Sequence, residues 1–287
     1  MKQSYSLDEI WLMPREKSCF WSRKDVDPST DFLGIKLSLP IISSPMITVT
    51  GHKMAIELRE LGGLGTLPRT DNIKNDLNEY NLVKEKNKEV IVAIPATNDY
   101  MERIDFCFKR GCKHFCLDLA NGFSTTTEHA IKKIRFEYGK DVFIITGNVG
   151  SVEGYEFLNN LGIDGVRVSI GAGAACSTSL ATGIACGQFS LLREIAEYKE
   201  KNNCKSLIIA DGGLKNSGDI AKCIAIGSDI CMLGKVFAAC KESPGNIIKD
   251  NGILFKQYAG QSSIYVKKSN DNIEGIDSLI KYQGTIK

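Results

Sequence analysis

Residues 142–168 read Val142-Phe143-Ile144-Ile145-Thr146-Gly147-Asn148-Val149-Gly150, a helical stretch over Ser151–Asn160, and then Gly165-Val166-Arg167-Val168. A β-branched run broken by glycine, a helical pattern and a second apolar run make one strand–helix–strand unit, which builds a parallel sheet. The same alternation runs along the whole chain. Strands are expected at Leu39–Ser43, Gly65–Leu67, Val90–Ile94, Phe115–Leu117, Val142–Thr146, Gly165–Val168, Ser206–Ala210 and Ile230–Leu233. Helical patterns lie at His52–Leu61, Tyr100–Arg110, Thr125–Tyr138, Ser151–Asn160, Ser190–Lys201 and Ser217–Ala225. Eight such units predict a single (β/α)8 TIM barrel, of the α/β class. An open doubly wound sheet is the alternative, and no GxGxxG follows the first strand to favour it. No linker, low-complexity segment or repeat marks a second domain. Residues 1–287 are expected to form one catalytic domain with a short flap and tail over about 260–287, the stretch after Ser269 reading as loop.

The composition narrows the class of function. The 287 residues are 43% hydrophobic and 24% charged, enough to bury a full core. A net charge of +2 gives no footprint for nucleic acid. The 10 cysteines form no CxxC pair and only 3 histidines are present, which argues against a zinc site. Scattered thiols fit a reducing, cytoplasmic setting. Met1–Ser6 lacks the apolar core of a signal peptide, and no apolar run approaches a membrane span, so no membrane partner is expected.

In a barrel of this kind the chemistry sits on loops after the carboxyl ends of the strands. Ser44-Pro45-Met46, Asp118-Leu119-Ala120-Asn121-Gly122, Gly147-Asn148-Val149, Ser169–Thr178, Asp211-Gly212-Gly213 and Gly234-Lys235 all fall on that rim. Cys176 follows a glycine-rich turn, where a thiolate can attack a bound electrophile; a plain buried cysteine after a turn is the other reading. Asp211-Gly212-Gly213 and Leu233-Gly234-Lys235 end the seventh and eighth strands, the usual phosphate pocket of the fold, unless they are ordinary tight turns. Lys235 adds a cationic contact there or projects into solvent. Thr178 can cap a helix after the Cys176 loop, and Glu274 can be a solvated tail residue.

Taken together these motifs resemble the IMP dehydrogenase/GMP reductase family. The resemblance begins at Ser6-Leu7-Asp8-Glu9-Ile10-Trp11-Leu12-Met13-Pro14-Arg15 and continues through Ser22–Asp27, Ser44-Pro45-Met46 and Leu61-Gly62-Gly63-Leu64-Gly65. It runs on through the Cys176 loop and Ala210–Gly213 to Tyr258-Ala259-Gly260-Gln261-Ser262-Ser263 and Glu274-Gly275-Ile276. It implies a TIM barrel, a homotetramer, and a cysteine that bonds C2 of a purine nucleoside monophosphate. Only Pro68–Glu89 separates the second and third strands, which leaves no room for the CBS modules that dehydrogenases of the family carry there. Leu117–Ser124 resembles the reductase version of its motif, and Ile264–Ile273 lacks the arginine and the length of a dehydrogenase flap. The resemblance therefore implies a GMP reductase that converts GMP to IMP and ammonia with NADPH. Cys176 would be the nucleophile, with Thr178 and Glu274 as the proton relay. Ser44, Met46, Gly173, Asp211, Gly212, Gly213, Gly234, Lys235, Tyr258, Gly260, Gln261 and Ser262 would bind the substrate. Asp118, Ala120, Asn121, Gly122 and Asn148 would bind the cofactor, and the carbonyls of Gly171, Gly173 and Cys176 would hold K+.

Some positions depart from the family pattern. Ala174 stands where a serine contacts phosphate, Ser179 where an arginine is usual, Ile47 for an aspartate and Gln261 for a methionine, while Arg167 is more dehydrogenase-like. These departures bear on which purine is bound. The alternatives are a reductase acting on a deoxy or modified purine nucleotide, an IMP dehydrogenase with a degenerate flap, and a non-catalytic nucleotide-binding paralogue.

Overall fold

The architecture comes from a computed structural model, which describes residues 3–14, 17–174, 176–260, 263 and 275–287. A short antiparallel hairpin, β1 (Thr30–Phe32) and β2 (Ile35–Leu37), precedes the barrel. The ring itself consists of β3 (Ile41–Ser43), β4 (Thr66–Leu67), β5 (Ile91–Ile94), β6 (His114–Asp118), β7 (Phe143–Val149), β8 (Gly165–Val168), β9 (Leu207–Asp211) and β10 (Ile230–Leu233). All pairs are parallel, in the order β3-β10-β9-β8-β7-β6-β5-β4, and a single bridge between Ile42 and Leu64 closes the ring. The eight expected strands are thus present, with ends shifted by at most three residues.

Helices α1 (His52–Glu60), α2 (Ile73–Lys84), α3 (Tyr100–Phe108), α4 (Thr125–Tyr138), α5 (Val152–Asn160), α6 (Thr178–Thr182), α7 (Gln188–Asn202), α8 (Ser217–Ala225) and α9 (Lys235–Ala238) fill the connections. Side chains of Asn72, Ser124, Ser151 and Asn216 cap α2, α4, α5 and α8 by accepting backbone N–H groups of the first turn. Helix α6 buries no residue and follows directly on Cys176.

Strand alternation sends every second side chain into the lumen. Ile42, Leu64, Ile91, Ala93, Cys116, Ile145, Ile209, Ile230 and Met232 fill it, together with Phe32, Ile35 and Leu37 of the hairpin. The hairpin closes the amino-terminal end of the barrel, where His114 Nε2 donates to the Leu33 carbonyl at 2.9 Å. Cys107, Cys112, Cys116, Cys223, Cys231 and Cys240 are buried, Cys176, Cys186 and Cys204 half-buried, and Cys19 is exposed.

One expectation is corrected. The stretch after Ser269 is not all loop: β13 (Asp277–Lys281) pairs antiparallel with β12 (Ile253–Ala259), which also pairs with β11 (Ile247–Asp250). Asp277-Ser278-Leu279-Ile280-Lys281 carries enough alternation to bury Ile280 against its neighbours. Thr48 Oγ1 accepts the Ala259 N–H at 3.1 Å and so ties β12 to the loop after β3. Among the described residues, no helix is long and apolar enough to cross a membrane.

Candidate active site

Asp118, Arg167 and Asp211 are each two residues beyond Cys116, Gly165 and Ile209, so alternation keeps them on the lumen face, one layer nearer the carboxyl ends. The lumen therefore turns from apolar to charged at its mouth. Arg167 Nη1 donates to Asp118 Oδ1 at 2.7 Å, and its Nε donates to Asp211 Oδ2 at 2.9 Å. Asn148 Nδ2 donates to the same Asp211 oxygen at 2.9 Å. Arg69 Nε lies 3.4 Å from Asp118 Oδ2. Burial opposes the charge on Arg167, but Asp211, Cys116 and Asp118 beside it outweigh burial and raise its pKa. Burial pushes the Cys116 thiol beneath it up to about 12, so that sulfur is no nucleophile at neutral pH.

The loop after β8 carries Cys176. Its thiol donates to Thr178 Oγ1 at 3.1 Å, and its N–H donates to the Gly173 carbonyl at 3.0 Å. Ser177, not Thr178, occupies the cap position of α6, which leaves the threonine hydroxyl to the thiol. The backbone of Cys176 forms an antiparallel bridge with Gly275. Thiol, hydroxyl and the segment that follows Glu274 are therefore brought together. Glu274 itself, Gln261 and Ser262 lie outside the described residues.

Beside this loop the structure forms a cradle. A Cβ added to Gly234 would sit 3.2 Å from the Tyr258 hydroxyl, 3.3 Å from Ser44 Oγ and 3.6 Å from the Met46 sulfur. Four residues expected at the substrate thus converge from β10, β12 and the loop after β3. Tyr258 is buried; burial first, then the charges of Asp211 and Cys176, raise its phenol well above the ordinary value and keep it a neutral donor. Gly212, at φ +95°, brings the loop after β9 against the Cys176 loop: a Cβ there would lie 3.1 Å from the Gly173 nitrogen. Gly213 faces Ala172 in the same way, and Gly260 is buried at the end of β12. Lys235 opens α9 and is exposed.

The loop after β6 packs on the carboxyl end of β7. The Gly122 N–H donates to the Asn148 carbonyl at 2.9 Å, and a Cβ on Gly122 would meet Gly147 Cα at 2.8 Å. Ala120 and Asn121 remain exposed beside the charged mouth. Of residues 120–122 on this shelf, only Gly122 is buried. Asn148, expected at the cofactor, donates one amide N–H to Asp211. The Gly171 and Gly173 carbonyls lie in the same half-buried turn as Cys176; the Gly173 carbonyl already accepts one N–H and keeps its second lone pair. Among the described residues no group of His, Cys, Asp and Glu is placed to hold a metal ion. Two cavities lie away from the mouth. One of about 410 Å³ is lined by Arg193, Glu197 and Gly227, and one of about 560 Å³ lies at the amino-terminal end near Leu33 and Leu207.

Sequence reasoning missed the bridging place of Arg167 and the pairing of Arg69 with Asp118. A charged residue alternating with valines in a lumen strand was the available signal for Arg167.

Comparison with known proteins gives a consistent result. The family described as IMP dehydrogenase / GMP reductase domain matches residues 4–287. A GMP reductase of Ligilactobacillus salivarius is 32% identical over 98% of this chain and 86% of its own length. One from Bacillus subtilis is 32% identical over 100% of this chain and 87% of its own length, and one from Bacillus licheniformis 31% over 100% and 86%.

Proposed function

The chain belongs to the IMP dehydrogenase/GMP reductase family, and from that premise we propose that it is a GMP reductase, an oxidoreductase of purine nucleotides. The reaction is GMP + NADPH + H+ → IMP + NH3 + NADP+. The observation that carries this reading is the Cys176 thiol, 3.1 Å from the Thr178 hydroxyl and bridged through its backbone to Gly275. In it, the Cys176 thiolate adds to C2 of the purine. Amide anion is not a viable leaving group, so the 2-amino group must take a proton as it departs as ammonia. Thr178 both accepts and donates, and passes that proton from Glu274. The dinucleotide, when bound on the Asp118–Gly122 shelf, supplies the hydride to C2, after which the thiolate leaves and IMP is released.

Substrate binding follows the cradle. Gly212, Gly213 and Gly234 let backbone N–H groups approach the phosphate, with Lys235 as its cation; Asp211 accepts from the ribose; Ser44, Met46, Tyr258, Gly260, Gln261 and Ser262 enclose the rest. A K+ ion on the carbonyls of Gly171, Gly173 and Cys176 would brace the turn that presents the thiol. The whole chain works as one catalytic unit with residues 260–287 as flap and tail, assembled as a homotetramer. The ten free thiols support a cytoplasmic setting.

The test is turnover. NADPH oxidation and ammonia release with GMP are expected from the parent, and Cys176→Ala should lose turnover while keeping mononucleotide binding. Turnover of IMP with NAD+ instead would make the chain a dehydrogenase. A Cys176→Ala variant within a few fold of the parent would remove the covalent route.

A further inference from the structure

Arg167 touches both carboxylates of the mouth, and the chemistry above makes no use of it. Its side chain is 9% exposed. Nε and Nη2 both lie 2.9 Å from Asp211 Oδ2, while Nη1 reaches Asp118 Oδ1. Asn148 donates a second hydrogen bond to the same Asp211 oxygen. Oδ2 is therefore fully committed. Oδ1 receives no hydrogen bond from any described residue, and the Asp211 side chain keeps 12% of its surface exposed. A carboxylate with one oxygen held by two hydrogen bonds and a second guanidinium nitrogen beside it has no freedom to turn, so its other oxygen has a fixed direction for an incoming hydroxyl.

We infer that Arg167 positions Asp211 and, through it, selects a ribonucleotide over a 2′-deoxyribonucleotide. The inference rests on the reading of Asp211 as the acceptor for ribose hydroxyls. The charged and titratable groups around that carboxylate are Arg167, Asp118 with its partner Arg69, Cys116 below, and Tyr258 above, with Cys176 beyond it. Arg167 is the cation bound to Asp211 among them, and a planar fork is needed to reach two carboxylates from two different strands. Lysine keeps the charge but spans only one of them.

The experiment measures the dissociation constants of GMP and 2′-deoxy-GMP for the parent, Arg167→Lys, Arg167→Gln and Asp211→Asn. A hydrogen bond to an ionised acceptor makes the parent prefer GMP by roughly tenfold or more. Arg167→Gln should bring the two affinities to within about twofold, raise KM for GMP more than it lowers kcat, and add little in an Asp211→Asn background. Arg167→Lys should fall between, and carries the test if the glutamine variant does not fold. A folded variant at 167 that keeps the parent's preference overturns the inference, as does a parent that binds both nucleotides equally. A parent that binds no purine mononucleotide would overturn the reading of the site and the inference with it, and that failure would show in the parent alone.

Discussion

At the scale of the residue, Gly234 gives the cleanest probe of the cradle. Its φ is −108°, a conformation open to any side chain, so alanine there adds a methyl group without backbone strain. That methyl would sit 3.2 Å from the Tyr258 hydroxyl and 3.3 Å from Ser44 Oγ, in the space assigned to the nucleotide. Gly234→Ala should raise KM for the mononucleotide roughly tenfold or more, as a displaced hydrogen-bonding contact does, with little change in thermal midpoint. Steady-state kinetics beside a melting curve checks both halves. Gly212 offers no such separation, because its φ of +95° penalises alanine even before the Cβ meets the Cys176 loop. Thr178 and Asp211 stood out in sequence because they end glycine-marked motifs. Arg167 was visible only as a departure from a pattern; its partners are 49 and 44 positions away, a separation no local spacing reveals.

At the scale of the element, helix α2 is the instructive one among those whose ranges the sequence patterns did not name. Helix α2 buries Asp76, Tyr80 and Val83, so its inward stripe starts with a carboxylate and carries little apolar signal. The carboxylate is held by Arg103 of α3, which also reaches Asp99 at 3.0 Å and the Thr70 carbonyl at 2.9 Å. This cluster fixes the turn that follows Arg69, and so holds the partner of Asp118 at the mouth. Arg103→Met removes the cation and leaves Asp76 buried with only its two hydrogen bonds from Thr70, a loss of about 3–5 kcal/mol. Denaturant unfolding should give that value, and adding Asp76→Asn should recover part of it. The eight ring strands were legible because each centres on a short apolar run. The hairpin β1–β2 and the sheet β11–β13 were not: three-residue strands are shorter than any period-two signal, and β11 is exposed throughout.

At the scale of the whole molecule, the closed amino-terminal end sets a pH limit. His114 stacks on Phe143 at 5.0 Å and donates to Leu33. Burial lowers its pKa below the ordinary 6.5, so the folded protein holds it neutral. Above that value both folded and unfolded chains carry a neutral ring and stability is unaffected. Below it the unfolded chain takes up the proton first, and stability falls with pH until the depressed folded value is reached. Unfolding free energies measured from pH 7 downward should decline in the parent and decline less steeply in His114→Gln. The distribution of thiols turns the chain into its own clock for that opening. An alkylating reagent meets Cys19 at once and Cys176, Cys186 and Cys204 more slowly, while the six sulfurs sealed inside react only when the barrel comes apart. Inactivation by such a reagent becomes a measure of the nucleophile alone once Cys19, Cys186 and Cys204 are serine, and the late-reacting sulfurs then count molecules that have unfolded.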